Sequence, residues 1–347
     1  RRVADRFGGT GRAGLALMRI TGIAMLRGDH AGAAAAAGEY RQKLPSGPLW
    51  PQATYWAARA AEAQGRREPA AALYREIRRR EPLSYYALRG AERLREPYWP
   101  LQLADDPAAD GDAARRAAGW MYAVDLLRAA GLDAEAQAEV ERRVREAGTD
   151  RALLYALAEG INERGYTSQG IRIALAMQSR GEPASARFLR ILYPLPYAGI
   201  IRGEARARGL DPAMVAAMTR QESWFNARAV SGPGARGLMQ VMPETGRVLA
   251  AGAGIRRWDA ELLFNPEINV ALGTRYLADQ VAAYGGRLPY VFSAYNAGPQ
   301  RVERWRRLPE ARDPELFTER IPYQETRDYV KILTRNAALY RGLYPQR

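Results

Sequence analysis

The sequence predicts a mainly α protein in two parts, an irregular α-superhelix of helix pairs followed by a second helical domain. Three observations predict it. Residues 1 to 190 are rich in Ala, Leu, Arg and Glu and read as helices with short breaks. Nowhere does a convincing run alternate apolar and polar residues as a half-buried strand would. Finally, Tyr193-Pro194-Leu195-Pro196-Tyr197 sets two prolines two apart, which forces extended backbone and stops any helix from crossing. With 347 residues the chain is long enough for two cores. The predicted division is 1–192 for scaffold and linker and 193–347 for the second domain.

Within the scaffold, Tyr55 to Ile77 reads as two helices about a turn at Gly65. Tyr55, Trp56, Arg59 and Ala60 precede the turn, and Ala70, Leu73, Tyr74 and Ile77 follow it. Further pairs fall at Trp120 to Glu146 and Arg151 to Gln178, with breaks at Gly131, Gly148, Gly165 and Gly181. Pro82, Pro97, Pro100 and Pro107 interrupt the pattern, and Glu96 to Gly111 reads as an extended connector. The pairs resemble tetratricopeptide units with poor regularity. They serve either as a platform for a long substrate or partner, or as a scaffold without a binding role. In the second domain, helices are predicted near 198–208, 212–223, 243–251, 266–284, 289–297, 300–307 and 323–341. Asp211-Pro212 and Asn265-Pro266 supply cap-then-proline starts, and Gly285-Gly286 and Gly298-Pro299 supply stops.

Composition narrows the function. The chain has no cysteine, which excludes disulfides, thiolate metal sites and cysteine nucleophiles within it. No run approaches the 18 or so apolar residues of a membrane helix, so no membrane span is expected. The chain begins at Arg1 without Met or an apolar signal core, which leaves a removed leader as an expectation. Its net charge of +14 comes from 52 basic and 38 acidic residues, nearly all the basic ones Arg, with Lys only at Lys43 and Lys331. Such a charge favours polyanions. The arginines are nevertheless spread through both halves without a nucleic-acid-binding motif, so no nucleic-acid partner is expected and an anionic wall polymer fits equally well. The single His30 cannot form a metal cluster, and no phosphate-binding loop is present, so no cofactor or metal is expected.

One carboxylate stands out. On the helix that Asp211-Pro212 starts, Met214, Met218 and Glu222 recur at i, i+4 and i+8, and Val215 lies seven residues before Glu222. Glu222 therefore falls on the apolar stripe, unless it turns out to water at the helix end. Burial penalises a charged carboxylate and keeps a proton available near neutral pH, as a general acid requires. A glycine-dense loop, S-G-P-G-A-R-G-L-M-Q over residues 231–240, follows it and can approach a ligand closely.

The pattern Q-E-S-x-F-x-x-x-A-x-S-x-x-G-A-x-G-L-M-Q-x-M-P-x-T beginning at Gln221 resembles the soluble lytic murein transglycosylases, whose catalytic domain is lysozyme-like. Ser293 to Pro299, S-A-Y-N-A-G-P, and Ile321 to Val330, I-P-Y-Q-E-T-R-D-Y-V, are similar to that family's later motifs and stand in the same order. The resemblance implies a lysozyme-like α domain, with a small β element possible in the loop 226–238. It implies cleavage of peptidoglycan glycan strands between N-acetylmuramic acid and N-acetylglucosamine, in the periplasm, with 1,6-anhydro products and one glutamate as acid and base. On that footing Glu222 is catalytic, and Ser231, Gln240, Met242, Tyr295, Asn296 and Glu325 bind substrate. The residues themselves leave rival readings open. Ser231 could be a turn residue, Met242 core filler, Tyr295 buried packing, and Glu325 an acid placed by the helix dipole. Two other functions remain on the sequence alone: a hydrolase resembling goose-type lysozyme, which needs a second acid such as Glu244 or Asp259, and a non-enzymatic glycan-binding adaptor. The helical repeats could also hold cell-wall synthesis or remodelling proteins.

Overall fold

The computed structural model describes residues 10–345. The expectation about a leader concerns Arg1 and lies outside them. Among the described residues there are eighteen α-helices, two short 3-10 helices and no β-strand, only three isolated bridges. The chain divides into two compact units, each assembled from separated stretches. One runs up to Gln102 and adds Gln280–Ala338; the other is Leu103–Asp279 with the chain from Leu339 onward.

In the first unit, helices Gly11–Leu26, His30–Lys43, Trp50–Ala63, Arg67–Arg80 and Tyr85–Leu94 pack each against the next. Their buried faces are largely alanine, which lets backbones approach, and Ala33, Ala37, Ala53, Ala58 and Ala60 are wholly enclosed. Aromatic rings fill the wider gaps. Tyr55 lies 5.6 Å, centroid to centroid, from each of Trp56, Tyr74 and Tyr86, and the latter two contacts are tilted. The predicted pair over 55–77 is therefore present, with its turn at Gly65 in the left-handed region at φ +75°. Helices Leu288–Ala297, Pro299–Trp305 and Pro314–Arg320, and most of Gln324–Leu343, complete this unit. Pro314–Arg320 has no counterpart among the predicted helices. Its start is nevertheless the same cap-then-proline device, with Asp313 accepting from the N–H groups of Glu315 and Leu316 at 2.8 and 3.2 Å.

In the second unit, Gly111–Ala129 pairs with Asp133–Ala147, and Arg151–Glu163 with Thr167–Ser179. No helix lies between Leu94 and Gly111, as expected of the connector. Asp110, Asp150 and Ser185 cap the helices that follow them. Ala186–Leu192 ends before the two prolines, and Ala198–Ala207, Pro212–Ser223, Pro243–Gly252 and Pro266–Ala283 follow. Their predicted bounds differ by one or two residues at most, within ordinary end fraying. The prolines are tied to the end of the chain, since the Tyr340 hydroxyl donates to the Pro194 carbonyl at 2.8 Å and the Tyr344 hydroxyl to that of Tyr193 at 3.0 Å. No helix among the described residues is long and apolar enough to cross a membrane.

Candidate active site

The helix Pro212–Ser223 starts where Asp211 accepts from the Ala213 N–H at 2.8 Å, while the Arg341 guanidinium holds the other carboxylate oxygen at 2.7 Å. Every residue from Ala213 to Arg220 is buried, so this helix is enclosed on all sides rather than along one stripe. Arg220 belongs to that interior, donating from Nε to the Leu192 carbonyl at 3.0 Å with its guanidinium over the Tyr193 ring. Beyond residues 213–220 both ends of the helix approach the surface, at Pro212 and in the last turn. Glu222 is half-buried there, one residue before the helix ends. Met214, Val215 and Met218, whose spacing predicted it, are enclosed along with the rest of residues 213–220 rather than as a separate stripe.

Beyond Ser223 the backbone turns sharply. Trp224 and Phe225 both take left-handed conformations, at φ +51° and +61°, which cost free energy in residues with a Cβ. Burial of the Phe225 ring, 1% exposed, offsets part of that cost. The loop from 226 then folds on itself through two isolated antiparallel bridges, Val230 with Arg236 and Arg236 with Val241. These are the β element the sequence allowed, too short to count as a hairpin.

Ser231 closes a tight turn. Its hydroxyl accepts from the Ala235 N–H at 2.9 Å and its N–H donates to the Ala235 carbonyl at 2.9 Å. The Gln240 amide nitrogen donates to the carbonyls of Ala229 and Gly237 at 3.2 and 3.0 Å, and Gln240 itself sits at φ +48°. Met242 stands 41% exposed just ahead of Pro243–Gly252, so it is surface rather than core filler, whereas Met239 is fully enclosed. The Ser223 hydroxyl reaches across to the Leu238 carbonyl at 2.8 Å, tying the Glu222-bearing helix to the loop.

Sequence reasoning passed over the residue that holds this loop from the other side. Asn269, on Pro266–Ala283, is fully buried. Its oxygen accepts from the Met239 N–H, and its nitrogen donates to the carbonyls of Arg236 and Leu263, all at 2.8 Å. The signal was available. Asn269 shares a helix face with Leu272 and Gly273, so an amide on an apolar stripe called for the same question as Glu222. Between these anchors Gly237 adopts φ +75°, and a Cβ there would lie 2.1 Å from the Leu263 carbonyl oxygen.

Glu222, Ser231, Gln240 and Met242 thus belong to the second unit; Tyr295, Asn296 and Glu325 belong to the first. There, Tyr295 and Asn296 are half-buried near the end of Leu288–Ala297, and Asn296 Oδ1 accepts from the Thr326 hydroxyl at 2.6 Å. Glu325 is exposed in the first turn of Gln324–Leu343, where a helix dipole favours an acid. The two acids considered for a hydrolase are differently employed. Glu244 is exposed and ion-paired with Arg247 at 2.6 Å, a hydrogen bond that holds its carboxyl below the usual range. Asp259 caps a 3-10 helix by accepting from the Glu261 N–H at 2.8 Å.

Residues 199–318 match the family model described as the transglycosylase SLT domain. The soluble lytic murein transglycosylase of Salmonella typhimurium is 36% identical over 158 residues, 45% of this chain and 24% of that protein. The protein of the same name from Escherichia coli K12 is 29% identical over 291 residues, 83% of this chain and 43% of that protein. The chain spans less than half the length of these relatives. Among solved structures, the inactive glutamate-to-glutamine mutant of lytic transglycosylase Slt from Pseudomonas aeruginosa is similar at 28% identity. Its TM-score is 0.76, with 94% of this chain and 51% of that one covered. The fold class is that of a helical superhelix followed by a lysozyme-like α domain.

Proposed function

We propose, for a chain that carries a transglycosylase SLT domain over residues 199–318, the activity of a lytic transglycosylase on peptidoglycan. The start of that match at residue 199 supports the division into a scaffold of residues 1–192 and a catalytic domain of 193–347. In this reading the Glu222 carboxyl protonates the glycosidic oxygen between N-acetylmuramic acid and N-acetylglucosamine. The C1–O bond breaks and the N-acetylglucosamine leaves with a new 4-hydroxyl. The resulting carboxylate takes the proton of the muramic C6 hydroxyl, whose oxygen closes on C1. Glu222 ends protonated, no water is consumed, and the product is a 1,6-anhydro sugar.

One observation carries the reading: Glu222 surfaces just beyond the buried stretch 213–220 of its helix, beside a loop hydrogen-bonded to that same helix. A half-buried carboxyl on a fixed support suits a group that must give a proton and take one back. Ser231, Gln240, Met242, Tyr295, Asn296 and Glu325 keep the substrate-binding roles the family resemblance implies. The engagement of Glu244 with Arg247 and of Asp259 in a cap weighs against a water-activating second acid. The periplasm is the compartment in which such a substrate is met, and the N-terminal helices are the surface we assign to glycan strands or wall-remodelling partners.

Mass spectrometry of the fragments released from purified peptidoglycan tests the reaction. Products lighter by one water than the reducing forms are expected. Reducing-end products would replace this reading with the hydrolase.

A further inference from the structure

The peptide group between Leu238 and Met239 is held at both ends. Its carbonyl accepts from the Ser223 hydroxyl at 2.8 Å, and its N–H donates to Asn269 Oδ1 at 2.8 Å. Ser223 is the immediate neighbour of Glu222, and Gln240 follows Met239 directly. We propose that Asn269 is a positioning residue for the Glu222 reaction, acting through this one peptide group to fix the loop of Gln240 against the end of the Glu222 helix. The inference rests on the activity proposed above.

The chemistry of the contact selects the side chain. Three backbone groups converge on Asn269, one N–H and two carbonyls, and the side chain that meets them is fully buried. A neutral side chain offering one acceptor and two donors over a short reach satisfies them together. Aspartate matches the shape but faces two carbonyl oxygens with no donor when ionised. Leucine removes all three hydrogen bonds and leaves the Arg236 carbonyl only the one from the Val241 N–H. Nor can the loop move closer or twist to compensate. Gly237 already passes where a Cβ would stand 2.3 Å from Asn269 Nδ2, and the Asn269 oxygen meets the chain only two residues further on. The left-handed φ of +48° at Gln240 lies one residue beyond this fixed peptide plane, the kind of backbone that persists only where its surroundings hold it.

The test compares wild type, Ser223→Ala, Asn269→Asp, Asn269→Leu and the Ser223→Ala/Asn269→Asp pair. Turnover on purified peptidoglycan is measured across pH, at a temperature where circular dichroism shows each variant folded. Displacing a reacting group by about an ångström costs on the order of 100-fold, so Asn269→Asp should lose between about 10- and 100-fold in kcat. Ser223→Ala breaks the other end of the clamp without touching the buried amide and should lose less. Because both act on one peptide group, the pair should lose little more than Asn269→Asp alone. A protonated aspartic acid regains one donor, so the ratio of Asn269→Asp to Asn269→Leu activity should rise as pH falls. A purely structural role would leave that ratio level and make the losses multiply. Folded variants with wild-type turnover, or multiplying losses with a level ratio, would overturn the inference while leaving the activity standing. An inactive wild type would sink both.

Discussion

Lys331 places its ammonium 2.8 Å from a Glu319 carboxylate oxygen and 2.7 Å from the Tyr86 hydroxyl. Glu319 also accepts from Tyr86 at 2.6 Å, from Gln52 at 2.8 Å and from Trp56 at 3.4 Å, and both charged side chains are at most 15% exposed. This node, inside the first unit, joins Trp50–Ala63 and Tyr85–Leu94 to the helices that begin at Pro314 and Gln324. Lys331 is one of two lysines among 52 basic residues. Its compact ammonium meets two oxygens on different residues, a geometry that a planar guanidinium fork does not reproduce. Lys331→Ala leaves Glu319 its three neutral donors but no cation, so it should cost less than the roughly 3–5 kcal/mol of a wholly uncompensated buried charge, and Lys331→Arg a smaller but measurable amount. Thermal unfolding followed by circular dichroism reads both. An unchanged midpoint for Lys331→Ala would show that the node is not a buried ion pair.

Two glycines in the loop after Glu222 should respond unequally to alanine. At Gly237 the left-handed backbone alone disfavours a Cβ by roughly 1 kcal/mol, and the Leu263 carbonyl and Asn269 amide leave it no room. Gly237→Ala should therefore lower both the unfolding midpoint and the turnover. At Gly232 a Cβ meets nothing within 4 Å, and Gly232→Ala should stay within about 0.5 kcal/mol of wild type. Equal behaviour of the two variants would contradict the packing described around Asn269.

The pH dependence of stability has two limbs. Burial, with the Glu182 carboxylate adding to it, pushes the Tyr155 phenol up to about 12, and burial does the same for Tyr344. Because the folded values lie above the unfolded value of about 10, the contribution of these neutral phenols is fully present below pH ~10 and lost as pH rises toward 12. On the acid side, the hydrogen bond from Arg151 lowers the Glu182 carboxyl, and that from Arg164 lowers Asp125. Their contribution is present above the unfolded carboxylate value and lost as pH falls through the folded one. A spectrophotometric phenol titration beside unfolding curves checks the alkaline limb, where Tyr344→Phe should flatten the fall. Glu182→Gln should flatten the acid limb.

Much of this was legible in local pattern. Asp211-Pro212 and Asn265-Pro266 marked helix starts within a residue, and the i, i+4, i+8 spacing of Met214, Met218 and Glu222 marked the carboxylate. The same cap-then-proline pattern at Asp313-Pro314 escaped attention because the helix it starts has only seven residues, too few for a period to show. Other features have no local signature at all. Tyr86 precedes its partner Glu319 by 233 residues, and nothing around either residue announces the pairing. Asn269 is intermediate: its place on an apolar helix face is visible in the sequence, but the sequence does not bring to it the three backbone groups it bonds. The Ser231 hydroxyl lies in a turn, and Glu325 lies exposed in a first turn, as their local chemistry alone would suggest.

The central claim is that Glu222 alone performs the proton transfers. The most direct measurement is the release of fragments from purified peptidoglycan by Glu222→Gln beside wild type, with circular dichroism establishing that both are folded. Glutamine keeps the size and hydrogen-bonding reach of the side chain but cannot exchange a proton at neutral pH. The account predicts an unchanged fold and a loss of at least about 100-fold in fragment release, the low end for general acid–base catalysis. Release at the wild-type rate from folded Glu222→Gln would contradict it.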